Sequence, residues 1–517
     1  MTDRPARLAR LWSVLARPIA RLLATLAVAA LAFGPLAPVG TAAGDVTMSA
    51  RVLLQVHARA GAWMAIEVSL ENNGPAVSGE LRMQASSQST ARFATAVDLP
   101  TASRKMFYLY AQPPAFGQTM KIELVAAGAT LQTASAAYLA HDTAQLVVGV
   151  VAERPQSIIG DLRLPPSINN VPAVLAPLTL ADLPERVEGW APLDRLIWQD
   201  VDTSRLSKPQ LAALRGWLAA GGRLVIVGGT AGIGTLAAFP DDLLPYQPTS
   251  TMDLAASTFA SLLVGAPATT GDVPTMTGNP GTGRALATSG DRWAAADLTY
   301  GNGSVTLLGF DPTTKGIGAT AAVSALWGRL LPARSISTSP AIADDSNLLS
   351  ATGQVPSLAL PPIGGLFILL IAYIVVIGPI NYLVLRRLDR RELAWVTMPI
   401  LVVGFAVAAY VYGGFLRGTD VIVNQVAIVR GAPDATEGAA TVYFGLFSPD
   451  RRTYQVEVPG GALLAAPIAG DIFGSSQLGV LDIVQGDPAR VRDLEVGFAS
   501  LRTVRGTSGA SSASSSA

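Results

Sequence analysis

The chain has no cysteine. That excludes disulfides, a thiolate nucleophile, zinc–thiolate sites and iron–sulfur clusters. Imidazole is nearly as scarce. His57 and His141 are the two histidines in 517 residues, and they lie far apart in sequence. A metal centre is not expected from so few, and they read as exposed or hydrogen-bonded polar residues of a β domain. Charged residues make up only 14% of the chain, and 37 basic residues cancel 37 acidic ones. No global field draws nucleic acid, so no nucleic-acid partner is expected. Lysine is rare and arginine supplies most of the positive charge, which reads as composition bias. A Walker lysine motif, a Gly-x-Ser-x-Gly elbow and a Tyr-x-x-x-Lys pair are all missing.

Against this sparse background, two uncharged apolar runs stand out, Ile363–Leu385 and Ala394–Leu416. As a helix each reaches about 34 Å, against a bilayer core of about 30 Å. Between them, residues 386–393 read Arg-Arg-Leu-Asp-Arg-Arg-Glu-Leu, with four arginines. The pattern predicts a transmembrane hairpin (363–385 and 394–416) whose basic loop 386–393 stays in the cytoplasm. Pro379 and Asn381 interrupt the first run. Neither run holds the intramembrane charge that an ion path needs, so the chain is not expected to be a transporter by itself.

Near the start, Arg4, Arg7, Arg10, Arg17 and Arg21 precede an apolar stretch from Leu22 to Leu36 and small residues ending at Ala43-Gly44. Residues 1–43 thus read as a secretory signal, or an uncleaved anchor. Either places residues 45–362 outside the cytoplasm, and the hairpin returns 417–517 to the same side. The predicted location is a multi-pass plasma-membrane protein with the lipid bilayer as its first partner.

Residues 45–142 alternate in the β manner, with turn chemistry at Asn72-Asn73-Gly74-Pro75 and Gln112-Pro113-Pro114. This predicts an Ig-like β-sandwich. From 145 to 331 the pattern changes to α/β. Gln145–Val151 and Leu193–Gln199 are continuous apolar runs, as in strands buried on both faces of a parallel sheet. Ser207-Lys208-Pro209-Gln210 is a capping box opening a helix that stops at Gly221-Gly222. Arg223–Gly228 is the next strand. Gly301-Asn302-Gly303 then turns into a strand at Ser304–Phe310, followed by a helix from Ala319 to Leu331. Short strand–helix–strand connections imply a parallel sheet. Residues 332–362 read as a linker, 420–500 as a separate C-terminal β domain and 501–517 as a disordered, Ser-rich tail.

Three segments together carry a resemblance. They are Leu193–Trp198 continued through the capping box to Trp217–Gly229, Tyr300–Val305, and Gly378-Pro379-Ile380-Asn381-Tyr382 through Arg391. Over roughly 145–418 the chain resembles uncharacterised bacterial envelope membrane proteins with an exported class I glutamine amidotransferase-like domain ahead of membrane helices. The resemblance implies an amidotransferase-like fold. It also implies a degenerate site, since active members use a Cys–His–Glu triad, and here cysteine is absent and residues 145–330 hold no histidine.

The fold class expected is therefore a multidomain membrane protein: Ig-like sandwich, α/β parallel-sheet domain, transmembrane hairpin and C-terminal β domain. The function expected is non-catalytic, presenting binding or assembly domains to a protein partner in the cell envelope. No catalytic residue, cofactor or metal is assigned. One alternative is an exported hydrolase or metal-dependent enzyme using Asp200, Asp202 and Asp311, which fall at predicted carboxyl ends of strands. Another is an accessory subunit of a membrane export complex. Gly228-Gly229-Thr230-Ala231-Gly232-Ile233-Gly234 mimics a dinucleotide loop, but Pro240 leaves room for barely one helical turn behind it.

Overall fold

The computed structural model describes residues 45–83, 91–113, 117–142, 145–162, 164, 172–228, 231–263, 271–314, 317, 320–332, 345–353, 363–417, 420–431, 437–467, 480–498 and 500–511. The predicted signal 1–43 lies outside the described residues. The described chain is mixed α/β, sheet-rich and built of several modules.

Among the described residues the N-terminal module holds nine strands: β1 (Val46–Val52), β2 (His57–Arg59), β3 (Met64–Asn72), β4 (Val77–Met83), β5 (Ala91–Leu99), β6 (Ser103–Ala111), β7 (Thr119–Ala126), β8 (Ala129–Ala137) and β9 (Leu139–His141). Alternation along β3 buries Ile66, Val68 and Leu70 while Glu67, Ser69 and Glu71 face outward. β1, β3 and β6 form one antiparallel sheet, and β4, β5, β7 and β8 lie in a second. Ala127 and Gly128 join β7 to β8 with φ of 49° and 80°, the left-handed pair that matches hairpin twist.

The second module contains β10 (Val147–Ala152), α1 (Pro155–Asp161), β11 (Val174–Leu178), β12 (Arg195–Gln199), α2 (Lys208–Ala219), β13 (Arg223–Val227), β14 (Gln247–Ala255), β15 (Asp272–Asn279), β16 (Arg284–Ser289), β17 (Arg292–Tyr300), β18 (Gly303–Leu308) and α3 (Thr320–Leu330). The order β11-β10-β12-β13-β18 is parallel throughout. β17, β15 and β14 extend it antiparallel, and β16 pairs with β17. All five residues of β12 are buried, as a strand covered on both faces requires. The capping box forms: Ser207 Oγ accepts from Gln210 N at 3.2 Å, and Gln210 Oε1 accepts from Ser207 N at 3.0 Å. At the other end Gly221 takes φ 117°, which costs glycine little.

A short helix, α4 (Ser346–Thr352), precedes the two apolar helical stretches. The first is α5 (Ile363–Val375), a π-helical turn (Val376–Ile380) containing Pro379, and α6 (Asn381–Arg387); the second is α7 (Ala394–Arg417). Phe367–Arg387 and Arg391–Gly413 are each long and apolar enough to cross a membrane, and their sides are almost entirely uncovered. They form a hairpin in which Tyr373 meets Phe405 edge-on at 5.4 Å. Pro379 supplies no N–H, and the widened turn is a recurrent way to seat an interruption inside a helix.

The last seven strands are β19 (Ile422–Gly431), β20 (Glu437–Ser448), β21 (Arg452–Val458), β22 (Leu463–Ala465), β23 (Leu481–Gln485), β24 (Ala489–Val496) and β25 (Ser500–Ser511). They do not make the separate domain expected over 420–500. Only β19-β20-β25-β22 form a sheet of their own. β21, β24 and β23 join the N-terminal module in one seven-stranded sheet, β21-β24-β23-β5-β4-β7-β8. The junction is parallel, Leu481↔Ala91 through Gln485↔Thr95. Beneath it Leu463, Ile483, Val491 and Val496 share a core with Ile66, Phe93 and Ile122. The Gln485 carboxamide also accepts from Tyr110 N at 2.9 Å and donates to Tyr110 O. Hydrophobic burial thus unites segments separated by the whole α/β module and the apolar helices.

Two further expectations are corrected. The tail 501–517 is a strand through Ser511, with Gly506–Ser511 paired along β20. Ladder hydrogen bonds come from the backbone, so a Ser- and Gly-rich composition does not prevent them. Within the predicted linker 332–362, Asp345 and α4 are packed: Asp345 is fully buried and accepts from Tyr443 Oη at 2.6 Å and Arg505 Nη1 at 3.1 Å.

Candidate functional site

The most concentrated polar chemistry lies at the seam between the N-terminal and α/β modules. β2 and β9 form a two-stranded parallel ribbon, Arg59 opposite His141. This brings the chain's two histidines together. His57 Nδ1 and His141 Nε2 are 2.8 Å apart, with ring planes tilted by 34°. His141 Nδ1 lies 3.1 Å from Gln145 Oε1, and Gln145 Nε2 donates to Pro172 O at 3.2 Å.

These contacts assign the protons. The Pro172 carbonyl can only accept, so the Gln145 amide nitrogen faces it and Oε1 faces His141. His141 Nδ1 therefore carries hydrogen, its Nε2 is the acceptor, and His57 Nδ1 donates. Both rings are neutral in this arrangement. Burial, with His141 beside it, lowers the His57 pKa to about 4. Burial also lowers His141. A proton can add at His57 Nε2 without breaking the chain of bonds, whereas one added at His141 Nε2 keeps the chain only if the His57 proton moves from Nδ1 to Nε2.

Next to the pair, Arg59 is fully buried and reaches from β2 into the α/β module. Its Nη2 donates to Asp194 Oδ2 at 2.7 Å, Gln145 O at 3.0 Å and Pro192 O at 3.3 Å. Asp194 Oδ2 also accepts from Val147 N at 2.9 Å, at the start of β10. Burial holds the Asp194 pKa above the usual range although Arg59 opposes it. A second bridge reinforces the seam, where Arg51 donates to Glu67 at 2.8 Å and Asp182 at 2.7 Å. The arrangement clamps two modules together. It offers no aligned nucleophile and base, because each inward ring nitrogen is already engaged.

The three aspartates at strand ends do not act together. Asp311 Oδ2 accepts from Gln199 Nε2 at 2.9 Å, and its Oδ1 accepts from Thr313 N and Oγ1 at 2.8 and 2.7 Å. Asp202 caps a helical turn through Ser204 N at 2.9 Å, and that bond lowers its pKa. Asp200, at φ 54°, accepts from Ala231 N at 3.1 Å. Among the described residues, no group of three or more His, Asp or Glu side chains is arranged to hold a metal ion. The glycine-rich loop is followed by one 3-10 turn, Ile233–Leu236, and Gly229 and Thr230 lie outside the described residues. A Cβ on Gly228 would fall 2.3 Å from Gly309 O, so this glycine lets β13 and the end of β18 approach.

The histidine pair escaped the sequence reading because its members are 84 residues apart and no local motif joins them. The one available signal was that no other histidine exists.

Residues 45–138 match a family described as a domain of unknown function (DUF8726). No curated protein matches the chain. Among solved structures, it is similar to a catalytic mutant of Gan42B, a GH42 beta-galactosidase from G. stearothermophilus, at 10% identity and a TM-score of 0.23. That match covers 70% of this chain and 40% of the galactosidase. The Pseudomonas fluorescens alkylpurine DNA glycosylase AlkC bound to DNA matches at 10% identity and a TM-score of 0.14, over 18% of this chain and 30% of its own. The chain thus spans less than half of either protein, and at such scores neither likeness bears on fold or chemistry.

Proposed function

We propose that this is a non-catalytic, multi-pass plasma-membrane protein that presents one joined extracytoplasmic body to a protein partner in the cell envelope. The observation that carries the reading is β23 pairing with β5. Strands before and after the apolar helices share one sheet, so the chain between them leaves and returns on one side. Two spans do that; one or three do not. The basic turn 386–393 then takes the cytoplasmic side. An Ig-like sandwich and an amidotransferase-like α/β module are the finer identities this reading gives the two extracytoplasmic parts. Absence of catalysis is supported by the missing thiol, by histidines engaged with each other, and by aspartates spent on local caps.

The test uses the cysteine-free background directly. Single substitutions Ser204→Cys, Glu392→Cys and Thr453→Cys all sit at exposed positions. In intact cells an impermeant maleimide is expected to label the first and third, and the second only after permeabilisation. External labelling at position 392 overturns the topology. Turnover of amide, ester or phosphate substrates by the purified full-length protein overturns the non-catalytic part.

A further inference from the structure

We propose that the turn between the two apolar helices is a binding site for anionic phospholipid headgroups of the inner leaflet. This deepens the membrane-hairpin reading and rests on it. Arg386, Arg387, Arg390 and Arg391 are all exposed on one compact turn. Leu388 N donates to Val384 O at 3.0 Å, Asp389 takes φ 50° and Leu393 N donates to Arg390 O at 3.1 Å. The backbone therefore reverses within a few residues and carries four exposed arginines on one turn. Asp389 and Glu392 offset two of them, and among the described residues no salt bridge ties up the four. A net charge of about +2 remains on the turn, because four cations face two anions.

The surroundings fix what meets that charge. Leu388, Leu393 and Trp395 are 65%, 43% and 88% exposed beside the arginines. Apolar and amphipathic side chains at the end of a bare apolar helix sit where acyl chain gives way to headgroup. A guanidinium there meets lipid phosphate with parallel N–H donors in a two-pronged contact. A soluble anion would satisfy the charge and leave Leu388 and Trp395 uncovered; an anionic lipid satisfies both.

The experiment uses the full-length protein in mixed micelles with phosphatidylglycerol or phosphatidylcholine, counting bound lipids by native mass spectrometry. A preference for the anionic lipid of about thirtyfold is expected, from roughly two net charges at an anionic surface. Replacing all four arginines by glutamine is expected to remove most of it, and replacing them by lysine to keep part of it. Equal retention of both lipids, or an unchanged preference in the glutamine variant, overturns the proposal. So does full competition by millimolar inorganic phosphate, which would make the turn a site for the free ion. Flotation with phosphatidylcholine vesicles separates the two readings. A protein that fails to float removes the membrane hairpin, whereas one that floats without headgroup preference removes only the lipid site.

Discussion

Replacing Ile483 by alanine tests whether the chain's two ends fold as one body. Ile483 is fully buried in β23, with Phe93 of β5 beside it in register. Large-to-small changes at such sites cost about 2–5 kcal/mol, depending on how far the cavity collapses. Gln485 is two residues away, and its bonds to the Tyr110 peptide resist collapse; a mid-range loss of about 3 kcal/mol is expected. Domains hold only about 5–15 kcal/mol in total. If β5 and β23 open as one cooperative unit, amide protection along both falls by about 150-fold, at about 1.36 kcal/mol per tenfold. The assay is hydrogen exchange by mass spectrometry on the full-length protein in mild detergent, read on peptides covering 91–99 and 481–496. Loss of protection in 481–496 with 91–99 unchanged refutes the shared sheet, and with it the argument that both ends lie on one side.

Other outcomes follow from the seam and the α/β module. Arg59→Met leaves the Asp194 carboxylate buried without the Arg59 guanidinium and is expected to lower stability by about 3–5 kcal/mol. The double variant Arg59→Met with Asp194→Leu recovers most of that loss in thermal unfolding if the clamp is a closed ion pair. For His57, whose pKa is about 4 when folded, the unfolded ring near 6.5 binds more protons between those values. Stability is therefore full above about pH 6.5, falls as pH drops toward 4, and levels off below, by on the order of 2 kcal/mol after discounting for partial exposure. His57→Asn should flatten that slope; an unchanged slope in acid unfolding places the titration elsewhere. Ser207→Ala removes the cap of α2 and is expected to cost about 0.5–2 kcal/mol. Gly228→Ala forces a methyl into the Gly309 carbonyl; unaltered stability there would mean the strands can part without cost.

What was legible in the sequence was local. The capping box at Ser207, the stop at Gly221 and the strand at Arg223–Val227 are set within a few residues, by hydrogen bonds and allowed dihedrals. The uncharged runs are legible because a long stretch without charge has few other uses. The β23–β5 junction was not legible, because alternation in Leu481–Gln485 says that one face is buried and not against what. Gly506–Ser511 was misread because composition reports side chains, while a strand ladder is made by backbone groups. The three aspartates were correctly placed near strand ends, and whether they converge depends on loop paths that spacing does not fix.

The helices and the shared sheet constrain each other. The apolar sides of both helices remain uncovered after all five sheets among the described residues have packed, with Ile368 71%, Trp395 88% and Tyr410 84% exposed. Water does not tolerate that much contiguous apolar surface, so something must cover it. A partner protein could cover one face of a helical pair, whereas these residues point to several sides of two antiparallel rods. The proposed bilayer placement covers all of them at once and keeps the arginine turn out of the hydrocarbon core. Under the proposed topology, β23 reaches β5 after an even number of crossings, and two is the number of helices long and apolar enough to cross among the described residues. Deleting one span while keeping the other should leave β5 and β23 on opposite sides, and the N-terminal module without the strands that complete it.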